Sequence, residues 1–375
     1  TMKFVVSSKA LSNQLQAIGR VILSKNTLVI LDNFLFEITD GQLVLTASDG
    51  ETTLISAIEL VESSGDGRFS IKSKKILEAL KDVPEQPLTF DVNDETLELN
   101  ISYMNGNYNL VAQDAESFPM PMPLGESTHL QLPAEKLLKA IDYTLFASSS
   151  NSIHTVMNGV FFDFTTDCLT IVATDGHKLV RFRDFTNKAE DLNTSFILPR
   201  KPAQMLKNIF NKDCGEINVD FDGKNAIFTA NNVKMICRLI AGRFPKYNAV
   251  IPTNNPYTLS VDRQGFMGAL RRVLVFASES DTLVKIQLNN NEITLSGQDI
   301  GFGTSAKERL NCSYNGSKMD IGFKGSFLLE MLSNLPTNEI TIELADSTRP
   351  GLLLPNEQEE NEDLLMLLMP MMLKD

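Results

Sequence analysis

The chain has 375 residues, 43% of them hydrophobic and 22% charged, with a net charge of −13. That length supports two or three domains with real apolar cores, and so acidic a balance argues at face value against nucleic acid. Cys168, Cys214, Cys237 and Cys312 show no Cys-x-x-Cys pairing; they support neither a zinc site nor a disulfide framework and read as buried thiols of a reducing cytosol.

In chain order, a helical stretch opens the sequence at Ser7–Leu23, a hairpin pattern follows at Phe36–Gly50, and a strand–helix–strand unit occupies Phe69–Val92. The same series then recurs. Helix, hairpin and strand–helix–strand patterns lie at Pro133–Ser148, Phe162–Gly176 and Phe196–Phe221, and again at Asp262–Ser278, Ile286–Asp299 (more loosely) and Ile321–Leu344. Ile71, Ile197 and Ile321 are 126 and 124 residues apart, and Asp49, Asp175 and Asp299 keep the same offsets. A period of that length is domain-sized. The chain therefore reads as one domain used three times, over 1–126, 127–253 and 254–375. Period-two alternation (Leu43, Leu45; Leu97, Leu99; Ile217, Val219; Ile340, Ile342) with turns such as Asp40-Gly41 and Asp222-Gly223 predicts antiparallel strands. Each unit is an α+β domain whose two helices cover one face of its sheets. The acidic run Glu357–Asp363 reads as a solvated loop. No signal-peptide pattern or long apolar run is present, Met2-Lys3-Phe4 reads as the natural start, and no membrane is implied.

The charge is segregated. The six repeat-related helices carry a net +9, leaving −22 for everything else. Lys9 and Arg20, eleven positions apart, fall on one helical face, with Leu11, Leu15 and Ile18 on the other; Arg200 and Lys207 oppose Met205, Leu206 and Ile209 in the same way. A cationic helix face is usually only solvated, but here it recurs in all three repeats. Helix axes pack about 8–10 Å apart, so six helices in a circle leave no hole, whereas twelve leave roughly 20–28 Å clear. Duplex DNA is about 20 Å wide with one phosphate per ~1.7 Å of axis. Two chains would enclose it; one would not.

Five motifs fall in a fixed order: MNGVFFD (Met157–Asp163), ATDGHKLV (Ala173–Val180), LPRK (Leu198–Lys201), GRFPKYNAVIP (Gly242–Pro252) and LMPMMLKD (Leu368–Asp375). In these the chain resembles, over essentially its whole length, the bacterial DNA polymerase III β-subunit family of replicative sliding clamps. The resemblance implies three clamp domains, each with two inner helices and outer antiparallel sheets, in a ring-shaped head-to-tail homodimer. The ring slides on double-stranded DNA and tethers DNA polymerases and repair proteins that carry clamp-binding peptides. By match to the family, Lys25, Lys74, Lys75, Arg200, Lys201 and Arg272 face DNA; Arg20 and Lys207 join them from the helical-face argument. Phosphate contacts of this kind carry no sequence information and permit sliding.

The resemblance also implies a peptide-binding pocket between the second and third domains. Its walls would be Met157, Thr174, Gly176, His177, Lys178, Leu179, Pro245, Val250, Met369, Pro370, Met371 and Leu373. Thioether and apolar side chains make an adaptable surface that several partners can share. The bland alternatives are a structural histidine at His177 and a plain edge strand at the terminus. Lys178 stands where the family commonly has arginine, Ala249 and Met372 replace basic residues, and Lys374-Asp375 follows Leu373; the pocket is expected to be less basic and more apolar. Tyr108 and Leu110 of one chain would meet Val275 and Phe276 of the next.

No phosphate-binding loop, His-Glu-x-x-His or dinucleotide fingerprint occurs, and His129, His154 and His177 are scattered. Asp175 and His177 have no nucleophile or metal set beside them. The expectation is a non-enzyme without cofactor or metal, acting in the cytoplasm and opened by a separate ATP-driven loader. The alternative is a repeat-built peptide-binding scaffold that does not encircle DNA.

Overall fold

The structure, a computed structural model, describes residues 1–186 and 192–373. Lys374 and Asp375 of the terminal motif lie outside them. The chain divides into two compact units, Thr1–Leu138 with Lys201–Leu239, and Lys139–Arg200 with Ile240–Asp375.

Six α-helices lie among the described residues: α1 (Ser8–Gly19), α2 (Ser73–Leu80), α3 (Ala134–Thr144), α4 (Arg200–Ile209), α5 (Arg263–Leu274) and α6 (Gly325–Asn334). Two begin on side-chain caps. Ser7 Oγ accepts the Ala10 N–H at 3.1 Å, and an Asp262 carboxylate oxygen accepts the Gly265 N–H at 2.7 Å, each worth about 1 kcal/mol. The apolar stripe of α1 (Leu11, Leu15, Ile18) is buried while Lys9 and Arg20 are exposed, and α4 buries Met205 and Leu206 with Ile209 half-buried. In the first unit α1 packs on α2; in the second α5 packs on α6.

Each repeat supplies two half-sheets of four strands, with a short extra edge strand at Glu62–Ser64 in the first repeat and at Ser313–Tyr314 in the third. The strand–helix–strand segments recur as predicted: Gly67–Lys72, α2, Pro87–Val92; Thr194–Pro199, α4, Glu216–Phe221; Met319–Lys324, α6, Glu339–Leu344. Half-sheets of successive repeats fuse. In the first unit, Val233–Arg238 of the second repeat pairs antiparallel with Thr52–Glu59 of the first, giving an eight-stranded sheet. In the second unit, Glu362–Leu368 of the third repeat pairs antiparallel with Lys178–Asp184 of the second, giving a nine-stranded sheet. Among the described residues, the equivalent strands at the two extremes have a neighbouring strand on one side only. Gly106–Val111 is the edge of a five-stranded sheet in the first unit, and Thr304–Asn311 is the edge of a four-stranded sheet in the second.

Apolar side chains on the inner faces fill the space under the helices. Phe4 stacks on Phe90 with centroids 4.7 Å apart, and Phe36 on Phe69 at 5.3 Å. In the second unit Phe162 stacks on Phe196 at 4.8 Å.

Three expectations need correction. Leu97 does not continue the alternation with Leu99. Asn93 accepts the Glu95 and Thr96 N–H groups on its side chain and the Leu97 N–H on its carbonyl, and Leu97 ends that turn at φ +58°, just before the strand Glu98–Tyr103. The acidic run is solvated only in its first part: Glu362 and Asp363 begin a strand, where Glu362 accepts from Lys139 Nζ at 2.7 Å and Asp363 from Arg181 and Arg183. All four cysteines are free, but only Cys168 and Cys237 are buried. Burial pushes the Cys237 thiol up to about 12.

Candidate nucleic-acid and peptide interfaces

The eight cations proposed for DNA separate into groups. Arg20, just past α1, Lys25, and Lys74 and Lys75 in the first turn of α2 are exposed, with no ion-pair partner among the described residues. All four belong to the first unit. Lys207 is half-buried in the last turn of α4.

Three others are held by the chain itself. Arg200 Nη1 donates to the Ser148 carbonyl and hydroxyl, both at 2.8 Å. Lys201 Nζ donates to the Val21 carbonyl at 2.7 Å and to the Asp49 carboxylate at 2.6 Å. Arg272 forks onto the Glu308 carboxylate, its Nε 3.1 and 3.0 Å from the two oxygens, and that hydrogen bonding holds Glu308 below the usual carboxylate range. A helix face shows which way a side chain leaves the core, but it does not show what neighbouring strand or loop lies above it.

The proposed peptide walls all fall within the second unit. Their centre is the turn that joins Leu169–Thr174 to Lys178–Asp184. Thr174 Oγ1 donates to the Lys178 carbonyl at 2.7 Å and accepts the Gly176 N–H at 3.1 Å. Asp175 accepts the His177 and Lys178 N–H groups at 2.8 and 2.9 Å, and Gly176 has φ +91°, a conformation that favours glycine. The first unit contains the same turn. Ser48 Oγ donates to the Thr52 carbonyl at 3.2 Å and accepts the Gly50 N–H at 3.0 Å; Asp49 accepts the Glu51 and Thr52 N–H groups at 2.9 and 2.7 Å; and Gly50 has φ +92°. Asp49 and Asp175 recur in sequence because each ties the same Asp-Gly turn. The third copy is looser, with Ile300 after Asp299 and an N–H from Phe302 at 3.3 Å.

Around the second turn the structure gathers an apolar surface on a common floor. Leu179 packs in a buried cluster with Val172, Phe244, Tyr247, Leu365 and Leu367, and Val156 lies against it. Phe161 stacks on Phe244 at 4.6 Å, and the Tyr247 hydroxyl donates to Asp163 at 2.8 Å, where burial and that carboxylate push the phenol well above its usual range. The Tyr247 N–H donates to the Pro245 carbonyl, and the Val250 N–H to the Tyr247 carbonyl. Pro245 and Val250 are thereby held outward, both exposed; Met157 is half-buried beside Val156. The terminal segment crosses this surface: the Met369 N–H donates to the His177 carbonyl at 2.9 Å and the Met371 N–H to the Gly322 carbonyl at 2.7 Å. Met369 and Met372 are exposed, Pro370 and Met371 half-buried. The terminus is not an edge strand, since Glu362–Leu368 lies inside the nine-stranded sheet.

Two walls are placed differently from expectation. Leu373 turns over Gly322, where it lines a cleft of about 620 Å³ with Leu283, Lys285 and Lys307. Lys178, 6% exposed, is no open cation: its Nζ donates to Glu330 at 2.6 Å and lies 4.1 Å from the centroid of the Phe327 ring. His177 is exposed, its ring 6.5 Å from Phe327. Phe327 and Glu330 escaped the sequence reading; the available signal was that Glu330 is the one charged residue in α6.

Among the described residues no cluster of His, Cys, Asp or Glu could hold a metal, and no helix is long and apolar enough to cross a membrane.

Family comparisons agree with this architecture part by part. Residues 2–123, 131–246 and 248–372 match, respectively, the N-terminal, central and C-terminal domains described for the DNA polymerase III beta subunit. The beta sliding clamps of Pseudomonas aeruginosa and Haemophilus influenzae are 26% and 28% identical to the chain, each over 99% of it and 100% of the relative. A solved P. aeruginosa sliding clamp with ligand superposes with a TM-score of 0.94 at 25% identity, covering all of both chains. Another, bound to griselimycin, gives 0.93 at 25% identity over 99% of this chain and 100% of that one. Matched in three successive parts from Met2 to Met372, the chain belongs to the DNA polymerase III beta subunit family, the non-catalytic sliding clamps of DNA replication.

Proposed function

We propose that two copies of this chain close head to tail into a ring around duplex DNA, with domains at 1–126, 127–253 and 254–375. The observation that carries this reading is the strand pairing. Within the chain, each fused sheet joins the last strand of one repeat's half-sheet to the preceding repeat, and the rule leaves Gly106–Val111 and Thr304–Asn311 as the two unused edges. Pairing them between two copies closes the assembly and satisfies both edges. Tyr108 and Leu110 lie on the first edge, and Val275 and Phe276, both exposed, follow α5, which packs on the second.

Exposed Arg20, Lys25, Lys74 and Lys75 supply loose phosphate contacts that hold the duplex without reading sequence. The surface around the Thr174–Lys178 turn takes short apolar peptides from polymerases and repair proteins, and griselimycin. An ATP-driven loader in the cytoplasm opens the ring, since the sequence has no phosphate-binding loop of its own. After loading, the protein should stay on circular plasmid DNA through a high-salt wash and leave within minutes once the plasmid is cut. Equal retention on circular and cut DNA would favour a peptide scaffold that grips DNA without enclosing it.

A further inference from the structure

Lys178 is a lysine with almost no access to water, on a turn that is otherwise tied by the side chains of Thr174 and Asp175 to its own backbone. Its ammonium faces the Glu330 carboxylate at 2.6 Å, the Asp175 carboxylate at 3.9 Å, and the rings of Phe327 and Phe146, 4.1 and 5.8 Å to their centroids. Asp175 is already committed to the His177 and Lys178 N–H groups. Glu330 is the one close anionic partner, and it comes from α6 of the third repeat, whereas the turn belongs to the second. The first-unit copy of the turn is pinned differently: Asp49 takes Lys201 from α4, and the position equivalent to Lys201 in the third repeat is Gly325, which has no side chain to offer.

We infer that Glu330 is a positioning residue for the peptide site: by holding the Lys178 ammonium it fixes the Thr174–Lys178 turn and the His177 carbonyl on which the terminal segment docks. The inference rests on the reading of that surface as the peptide site. Lys178 is buried while Glu330 is half-exposed, so removing the Glu330 charge leaves a buried ammonium with only the Asp175 carboxylate, 3.9 Å away and already hydrogen-bonded to the turn. Lys178 must then move toward water, and because its own carbonyl accepts from Thr174 and its N–H donates to Asp175, the turn moves with it. Met369 loses a fixed acceptor, and the apolar wall that it carries shifts.

The test uses the full chain with griselimycin as probe. Glu330→Gln should weaken binding about tenfold or more, Glu330→Asp should stay within about threefold of the parent, and Lys178→Met combined with Glu330→Gln should lose no more than the worse single variant. Parent-like affinity in Glu330→Gln, or a double loss equal to the product of the single losses, would overturn the inference. Should Glu330→Gln fold poorly, Glu330→Asp and Lys178→Met decide: equal loss in both would also overturn it. Ending the chain after Leu368 separates the two ideas. Loss of griselimycin there, with Glu330→Gln unaffected, sinks only the role of Glu330, whereas full binding there sinks the site.

Discussion

Lys201 occupies the first turn of a helix whose cationic face looked ready for phosphate, yet its ammonium is taken up by the Val21 carbonyl and by an Asp49 carboxylate that is 8% exposed. Lys201 entered the DNA-facing set through the family resemblance and not through helical periodicity; Asp49 is 152 residues away in sequence, and no local pattern announces such a partner. Arg200 and Arg272 were hidden in the same way, their partners lying 52 and 36 residues off. Lys201→Met leaves a mostly buried carboxylate short of its charged partner and should lower stability by about 1–3 kcal/mol, read as a fall in the urea midpoint. If Lys201 is a clamp, the salt dependence of DNA association should not change. A log–log slope smaller by about one would instead return Lys201 to the phosphate contacts.

At the scale of elements, the recurring Asp-Gly turn was legible because its geometry is dictated locally. A side-chain acceptor at the aspartate and a left-handed glycine are both written within five residues, and Asp49 and Asp175 therefore kept their offset. Glu330, Phe327 and Asp363 were not legible, because their roles arise where α6 and the strand Glu362–Leu368 meet the second repeat. Leu97 was misread for a related reason: an Asx turn overrode an alternation that looked strand-like. The edge elements carry the assembly prediction. Val275 and Phe276 are 76% and 44% exposed at the end of α5, an apolar pair that needs cover. Val275→Glu with Phe276→Glu should give monomers in sedimentation with the fold intact by circular dichroism; an undiminished dimer would place the interface elsewhere.

For the molecule as a whole, a net charge of −13 did not exclude a DNA protein, because the acidic excess lies outside the six helices and the exposed cations of the first unit stand apart from it. Repetition made the three domains readable. The fusion of half-sheets across repeats was not, since strand order depends on pairings between segments some 180 residues apart, such as Lys178–Asp184 with Glu362–Leu368. The pairing rule that joins the repeats ends on two open edges, Gly106–Val111 and Thr304–Asn311, and the proposed ring pairs them between two copies. Native mass spectrometry at micromolar concentration tests this most directly. The account predicts a dominant species of twice 41.6 kDa, and a spectrum dominated by the single chain would contradict it.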